Sequence, residues 1–398
     1  MKASIIIPSY NARERLHYNL QSLNMLEYSR GDFEVIVVDN DSTDGTAEML
    51  SSIDTNYTFS TVYINKNMGR AFARNHGVKE AKGDIIIFLD SDMIVEKRFL
   101  AKHIEAHEYC NIAVCGQSWR RVYSFYYEDF KGYLKRNLSR QLDEKGIFEI
   151  DRLINKQPLI SEAEVKSDEC FENSFNLTKM HEAEKEILEK YGNHLESYYF
   201  PWSMLVTSNC SMEKNIFNLV GGFDDRFIDW GCEDLDLGYR LYKNGCKFIK
   251  QNDIKSVHQE HPINFLDNGV ENIFYFTKKY DSIDLLLFYY GYLIEVDRNM
   301  ANDIMKEIDK INVMQCNDIL EIYRRLLVAL RNKKFKIDDL ENNWFHEIKK
   351  LKYDIVLCKQ ELQRMLSTIE IEEELQYFFY TFHLLIMKVF NNKLENLN

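Results

Sequence analysis

The chain has 398 residues, 45% hydrophobic and 28% charged, enough for one large domain or two ordinary ones, each with its own core. A formal charge of −13 excludes a general nucleic-acid binder, because neutralising phosphates needs a surplus of Lys and Arg on the binding face. Eight cysteines without a CxxC pair, no charged-then-apolar leader, and apolar runs no longer than "LLLFYYGYLI" (285–294) read as reduced thiols in a cytoplasmic protein without a transmembrane segment.

From residue 1 to 123, strand and helix signals alternate. "ASIIIPS" precedes "RERLHYNLQSL", "FEVIVVDN" precedes "STDGTAEMLSSI", "TVYINKN" precedes "GRAFARNHGVKEA", "DIIIFLDSD" precedes "KRFLAKHIEAHEY", and "IAVCGQS" closes the series. Such alternation predicts βαβ units and a mostly parallel, Rossmann-like sheet flanked by helices, and continuous Ile/Val runs suit strands covered on both faces. Ligands of such sheets bind beyond the carboxyl ends of the strands. "PSYN" (8–11), "DNDSTDG" (39–45), "NKNMGR" (65–70) and "DSD" (90–92) are therefore expected around one crevice.

Residues 124–200 turn charged, aromatic and helix-leaning, with "LTKMHEAEKEILEKYG" as the clearest helix, and read as an insertion on the acceptor side. Turn-rich and strand-like sequence returns over 201–262. From about 265 to 398 the 3.6-residue period predicts a separate, smaller all-helical domain, with the domain before it ending at 264. The segment "YFFYTFHLLIMKVF" (377–390) reads as a buried core helix rather than a membrane-surface or dimer-forming one, although pairing of two copies through the C-terminal helices stays open.

A D-x-D on an extended segment points both carboxylates to one side. Asp90 and Asp92 are thus expected to share one hard cation, Mg²⁺ or Mn²⁺, that bridges to nucleotide phosphates; the competing reading is a solvated strand end. Asp39 follows "VIVV" and can accept hydrogen bonds from a nucleobase or ribose, whereas Asp41 and Asp44 suit caps of a helix beginning near Thr43. Arg70 and Arg74, four apart on one helix face, are candidates for a base or diphosphate, or else a solvated pair. His258 is a candidate third metal ligand. His261 is set aside because Pro262 suggests that the chain is already turning away.

"WGCEDLDLGYRL" (230–241) crowds Glu233, Asp234 and Asp236 where a helix begins. Acidic groups there suit the free N–H groups and the macrodipole, which is the structural explanation. Its neighbours supply another. Over about residues 1–262 the motifs "SIIIPSYN", "VIVVDNDSTDGT", "NMGRAFARNHGVKEAKGDIIIFLDSD" and "GGFDDRFIDWGCEDLDLGYRLYKNG" stand in the order that resembles GT-A glycosyltransferases of family 2. The last is similar to the catalytic motif shared with galactosyltransferases and chondroitin-type polymerases.

That resemblance implies a UDP-sugar donor. Asp39 would read the uracil, Pro8 and Tyr10 would line the base pocket, and Arg70, Arg74 and Asp90 would lie on the nucleotide side. It gives Asp92 and His258 to the metal, Mn²⁺ or Mg²⁺. Asp234 becomes the base of an inverting transfer, Glu233 its catalytic neighbour, and Trp230 and Gly231 hold sugar and acceptor. Cys232 departs from the usual small residue after the glycine, which bears on the donor sugar. For the acceptor, a Cys or Ser of a ribosomally made, bacteriocin-like peptide is the expectation, with a saccharide chain as the alternative. A catalytically silent UDP-sugar binder is the rival from another class. A nucleotidyltransferase lacks support, because the chain has "PSYNARERL" where a G-x-G-rich phosphate loop belongs.

Overall fold

The computed structural model describes residues 1–117, 119–144, 152–228, 231–262, 268–334, 350–351, 354–355 and 375–390. Contacts divide the chain into two compact units, residues 1–197 with 201–269, and residues 198–200 with 270–398. The second unit therefore begins at 270 rather than 265 and also takes in Tyr198–Phe200.

The first unit runs β1 (Ala3–Ser9), α1 (Arg13–Leu23), β2 (Phe33–Asn40), α2 (Thr46–Ser52), β3 (Thr58–Ile64), α3 (Arg70–Glu80), β4 (Ile85–Leu89), β5 (Met93–Val95), α4 (Phe99–Ala106), β6 (Ile112–Cys115) and β7 (Arg120–Val122). It continues with α5 (Gly132–Glu144), α6 (Glu162–Ser167), β8 (Phe175–Asn176), α7 (Thr178–Tyr191), β9 (Asn209–Glu213), α8 (Lys214–Leu219), α9 (Glu233–Lys243), β10 (Lys247–Lys250) and β11 (Ser256–Gln259). The main sheet has seven strands in the order β10-β6-β9-β4-β1-β2-β3. It is parallel except for β9, which runs against both β4 and β6. This is the mixed α/β, GT-A arrangement that the motifs imply.

Every residue of β2 is buried, while edge strand β3 alternates exposed and covered positions. Leu16, Leu20 and Leu23 of α1 pack on Ile5, Ile7, Val35 and Val37, so the apolar stripe of one helix covers one face of two strands.

A second sheet, ordered β5-β11-β7-β8, leaves the main one just after "DSD". β11 lies antiparallel to β5, with His258 opposite Met93, and parallel to β7, with His258 opposite Arg121. Residues 122–142 and 159–175 build their own aromatic core around Tyr123, Phe125, Tyr127, Phe130 and Phe171, closed by Tyr18, Ile94 and Val257. Buried Lys250 ties α7 to the main sheet through Glu184 at 3.0 Å and the carbonyl of Gly116 at 2.6 Å.

The second unit holds α10 (Asn268–Tyr280) from its third residue onward, then α11 (Ile283–Tyr290), α12 (Arg298–Val313), α13 (Asn317–Lys334) and α14 (Gln376–Phe390). α14 buries Phe378, Phe382, Leu385 and Val389. Phe378 and Phe382 stack on Tyr323, as expected of a core helix. No helix among the described residues is long and apolar enough to cross a membrane.

Candidate active site

Backbone clamps shape the strand tip at "DSD". Residues 91–92 form a turn rather than an extended segment, so the alternation that would aim Asp90 and Asp92 the same way is broken. Asn19, fully buried on α1, donates through Nδ2 to the carbonyls of Asp90 (3.1 Å) and Met93 (2.7 Å). From the other side the Gln259 N–H donates to the Asp92 carbonyl at 2.8 Å. Nothing in the motif itself announces Asn19, but it stands on the buried stripe with Leu16, Leu20 and Leu23.

The two carboxylates consequently have different partners. Asp92 Oδ2 lies 3.2 Å from His261 Nε2 and 3.5 Å from His258 Nε2. One ligand atom from each of the three lies within 4.8 Å of the others, and Asp92 Oδ1 is buried without a hydrogen-bond partner. Burial alone would raise the pKa of Asp92, but the two imidazoles outweigh it and hold the carboxyl well below its usual range. A hard oxygen, two imidazole nitrogens and an orphaned carboxylate oxygen fit a divalent cation. His261 thus belongs to the cluster from which Pro262 seemed to remove it: the turn follows the imidazole, and Nδ1 is 2.9 Å from the carbonyl of Pro262. Behind His258, Glu260 Oε1 is 3.7 Å from Nδ1 and 3.0 Å from Arg121 Nε.

Asp90 pairs elsewhere, with Arg74. Arg74, 1% exposed, donates to Asp90 Oδ1 at 2.7 Å and to Glu233 Oε1 at 3.0 Å, with its guanidinium 5.5 Å from the ring centre of Phe223. Burial would lower the Arg74 pKa, yet the two carboxylates reverse this and raise it. Arg74 is therefore a buried, paired cation and not a solvated surface charge. Glu233 is engaged at both oxygens, since Oε2 accepts the Gly231 N–H at 3.2 Å. Arg70, at the first position of α3, stays partly exposed.

The turn before α9 is built on left-handed backbone, with φ of 109° at Gly231 and 69° at Cys232. It places Glu233 and Asp234 at the helix start, where free N–H groups favour negative charge. Asp234 remains partly exposed. Burial and the neighbouring Glu233 push its pKa up to about 7, against the pull of Arg74. The loop ahead of this turn leans on α3 at Gly69 (φ 83°), where an added Cβ would sit 2.4 Å from the Ile228 carbonyl. Trp230 lies outside the described residues.

At the tips of β1 and β2, Ser9 is in register with Asp39. Asp39 is 3% exposed and accepts the Ser42 N–H at 3.2 Å, whereas Tyr10 beyond Pro8 is 49% exposed. Asn11 binds the two tips together, receiving the Thr43 N–H at 2.8 Å and donating its own N–H to Ser42 Oγ at 2.9 Å. Asp44 accepts from the first residue of two helices, taking the Arg13 N–H of α1 at 3.0 Å and the Thr46 N–H and hydroxyl of α2 at 3.2 and 2.6 Å. Helix α2 starts at Thr46, three residues later than the motif suggests.

The family described as glycosyl transferase family 2 matches residues 4–175, and the N-terminal domain of galactosyltransferase matches residues 191–262. The uncharacterized glycosyltransferase YfnE of Bacillus subtilis (strain 168) is 40% identical over 343 residues, covering 85% of this chain and 86% of that protein. Validoxylamine A glucosyltransferase of Streptomyces hygroscopicus subsp. jinggangensis is 27% identical over 264 residues, 65% of this chain and 55% of that one. Chondroitin synthase of Escherichia coli is 26% identical over 270 residues, 65% of this chain and 35% of the longer protein. The chain thus spans about half and about a third of those two enzymes. With the motifs in order along an α/β sheet and a relative aligned over most of both chains, this protein belongs to the family 2 glycosyltransferases.

Proposed function

We propose that the protein is an inverting, metal-dependent transferase that moves a sugar from a UDP-sugar to a hydroxyl of a saccharide acceptor. The observation that carries this reading is the meeting of Asp92, His258 and His261 within 4.8 Å, in the same unit as a partly exposed Asp234 whose pKa is pushed up to about 7.

In this reading Asp39 and Tyr10 receive the uracil, and Arg70 stays on the nucleotide side. Asp92, His258 and His261 hold a divalent cation, which when bound neutralises charge gathering on the diphosphate. Two imidazoles in the donor set favour Mn²⁺ over Mg²⁺, which prefers oxygen ligands. Asp234 accepts the proton of the acceptor hydroxyl as its oxygen bonds to the anomeric carbon. The bond from that carbon to the diphosphate breaks on the opposite face, its electron pair leaves with UDP, and the configuration inverts. A base with a pKa near 7 is matched to this task at neutral pH. Arg74 and Glu233 hold the base motif in place rather than touch substrate.

For the acceptor, the names of validoxylamine A glucosyltransferase and chondroitin synthase favour a saccharide over the peptide expected from the sequence. Incubation with Mn²⁺, a panel of UDP-sugars and saccharide or Cys/Ser-containing peptide acceptors, followed by mass spectrometry, tests the reading. A saccharide product of inverted configuration with stoichiometric UDP is expected. A modified peptide with untouched saccharides would return the peptide reading, and donor binding without any UDP release would favour a silent binder.

A further inference from the structure

The acidic balance of this chain is unevenly distributed. Residues 119–142 contain six Lys or Arg against two Asp or Glu, while the whole carries −13. Helix α5 in this stretch turns Leu134, Leu138 and Leu142 toward the aromatic core of the first unit. Its other side exposes Tyr133, Lys135, Arg136 and Arg140, with exposed Lys131 just before the helix. Among the described residues no carboxylate pairs with Lys131, Lys135 or Arg136. Helical spacing sets Tyr133, Arg136 and Arg140 in one column and Lys131 and Lys135 in the next. Basic groups early in a helix and Asp143 and Glu144 at its end oppose the macrodipole, so these charges do not serve the helix itself.

The helix is attached to the strand that flanks the metal cluster. Tyr123, just beyond β7, donates its hydroxyl to the Leu134 carbonyl at 2.9 Å, and Asn137 Nδ2 donates to the Tyr123 hydroxyl at 3.3 Å. Two residues before Tyr123, Arg121 is the register partner of His258.

We infer that this face of α5 holds an anionic saccharide, an acceptor chain whose sugar units carry carboxylates; the inference rests on the saccharide acceptor proposed above. Charge complementarity selects an anionic partner, and the acidic remainder of the protein directs such a chain to this face. Lys131 to Arg140 spans about 14 Å of helix, room for a few sugar units laid side by side with the charges. The exposed Tyr133 ring offers a flat apolar surface for the C–H face of a pyranose.

The test uses the full-length protein and the triple variant Lys131→Ser, Lys135→Ser, Arg136→Ser, titrated calorimetrically in the presence of UDP and Mn²⁺. The anionic probes are octasaccharides of hyaluronan and of polygalacturonate; maltooctaose is the neutral comparison and phosphatidylglycerol vesicles the membrane comparison. Wild type is expected to bind at least one anionic octasaccharide, more weakly at about 200 mM than at about 50 mM NaCl, and maltooctaose much less. The triple variant should bind that octasaccharide about tenfold more weakly, while its UDP release from donor without acceptor stays unchanged. Equal affinity of the variant, equal affinity of wild type for maltooctaose, or binding of neither anionic octasaccharide overturns the inference. Vesicle binding lost in the variant, without octasaccharide binding, overturns it in favour of a membrane surface. Transfer to neutral saccharides at equal rates by both proteins would overturn the inference and leave the proposed function standing. Absence of UDP release and of transfer with every donor would overturn the proposed function itself.

Discussion

Arg74 Nη1 lies 3.0 Å from Glu233 Oε1, joining two motifs 159 positions apart. The same guanidinium holds Asp90 at 2.7 Å, so one buried cation fixes a strand tip and a helix start together. Replacing it by Met leaves two carboxylates without their cation and should cost about 3–5 kcal/mol, read from urea unfolding. Because Arg74 pulls the Asp234 pKa down, the acidic limb of kcat/KM against pH should also move upward in Arg74→Met, with partial recovery in Arg74→Lys. A stability loss with an unmoved pH profile would leave Arg74 a purely structural role.

Asp234→Asn should lower kcat by about 10²–10⁴-fold while UDP binding persists, the usual cost of losing a general base. In wild type the base must be deprotonated, so activity falls as pH drops below about 7, the value to which Asp234 is pushed. Transfer by the variant at near wild-type rate would remove Asp234 from the mechanism.

The cluster at Asp92 predicts that His261→Ala weakens Mn²⁺ binding at least about tenfold, as His258→Ala and Asp92→Ala do. Calorimetry with Mn²⁺ alone reads this without any turnover. Wild-type affinity in His261→Ala would place that residue outside the metal site.

Asp39→Ala should weaken UDP binding by roughly 10- to 100-fold, the worth of a hydrogen bond to a buried charged acceptor. Mn²⁺ affinity should not change. An unaltered UDP dissociation constant would assign uracil recognition elsewhere.

A fifth expectation concerns pH and stability. His103 on α4 and His107 just beyond its end meet Ser211 Oγ at 2.8 Å each, and His103 Nε2 lies 3.0 Å from Asn209 Oδ1. Burial pushes their pKa values from 6.5 down to about 3 and about 4. Between those values and 6.5 the unfolded chain binds protons that the folded chain refuses, so stability falls as pH falls through 6.5. At pH 5 the loss is roughly 2 kcal/mol per histidine. Urea titrations at pH 7.5 and 5 should show it, and His107→Gln should flatten the dependence.

Local patterns made much of this architecture legible. "IIIFL" and "EVIVV" can hardly be anything but covered strands, and both are buried along nearly their whole length. What escaped depends on partners distant in sequence. The reversal of β9 between β4 and β6 leaves no trace in its own five residues. Pro262 reports on backbone direction, whereas the β5–β11 pairing and the turn at 91–92 bring the His261 imidazole to 3.2 Å from Asp92 Oδ2. For Arg74 a signal did exist: it falls on the buried stripe of α3 with Ala71, Gly77 and Val78, and a charge on an apolar stripe calls for buried partners. Identity of those partners required the fold.

Tyr198–Phe200 belong to the helical unit although their flanking residues belong to the α/β unit. There the Tyr199 N–H donates to Asn302 Oδ1 at 2.7 Å, and the Phe200 ring centre is 5.6 Å from that of Phe288. The backbone accordingly passes from one unit to the other at three places. During synthesis this short piece leaves the ribosome some 70 residues before the first of its helical partners and must wait for them, so the helical unit completes its folding around a part made much earlier. A protease cutting between 269 and 270 would separate neither unit whole: the amino-terminal fragment would keep three residues the helices need. Deleting the helices would likewise strip Tyr199 and Phe200 of their packing, so a stop codon after 269 is not a clean excision of one unit.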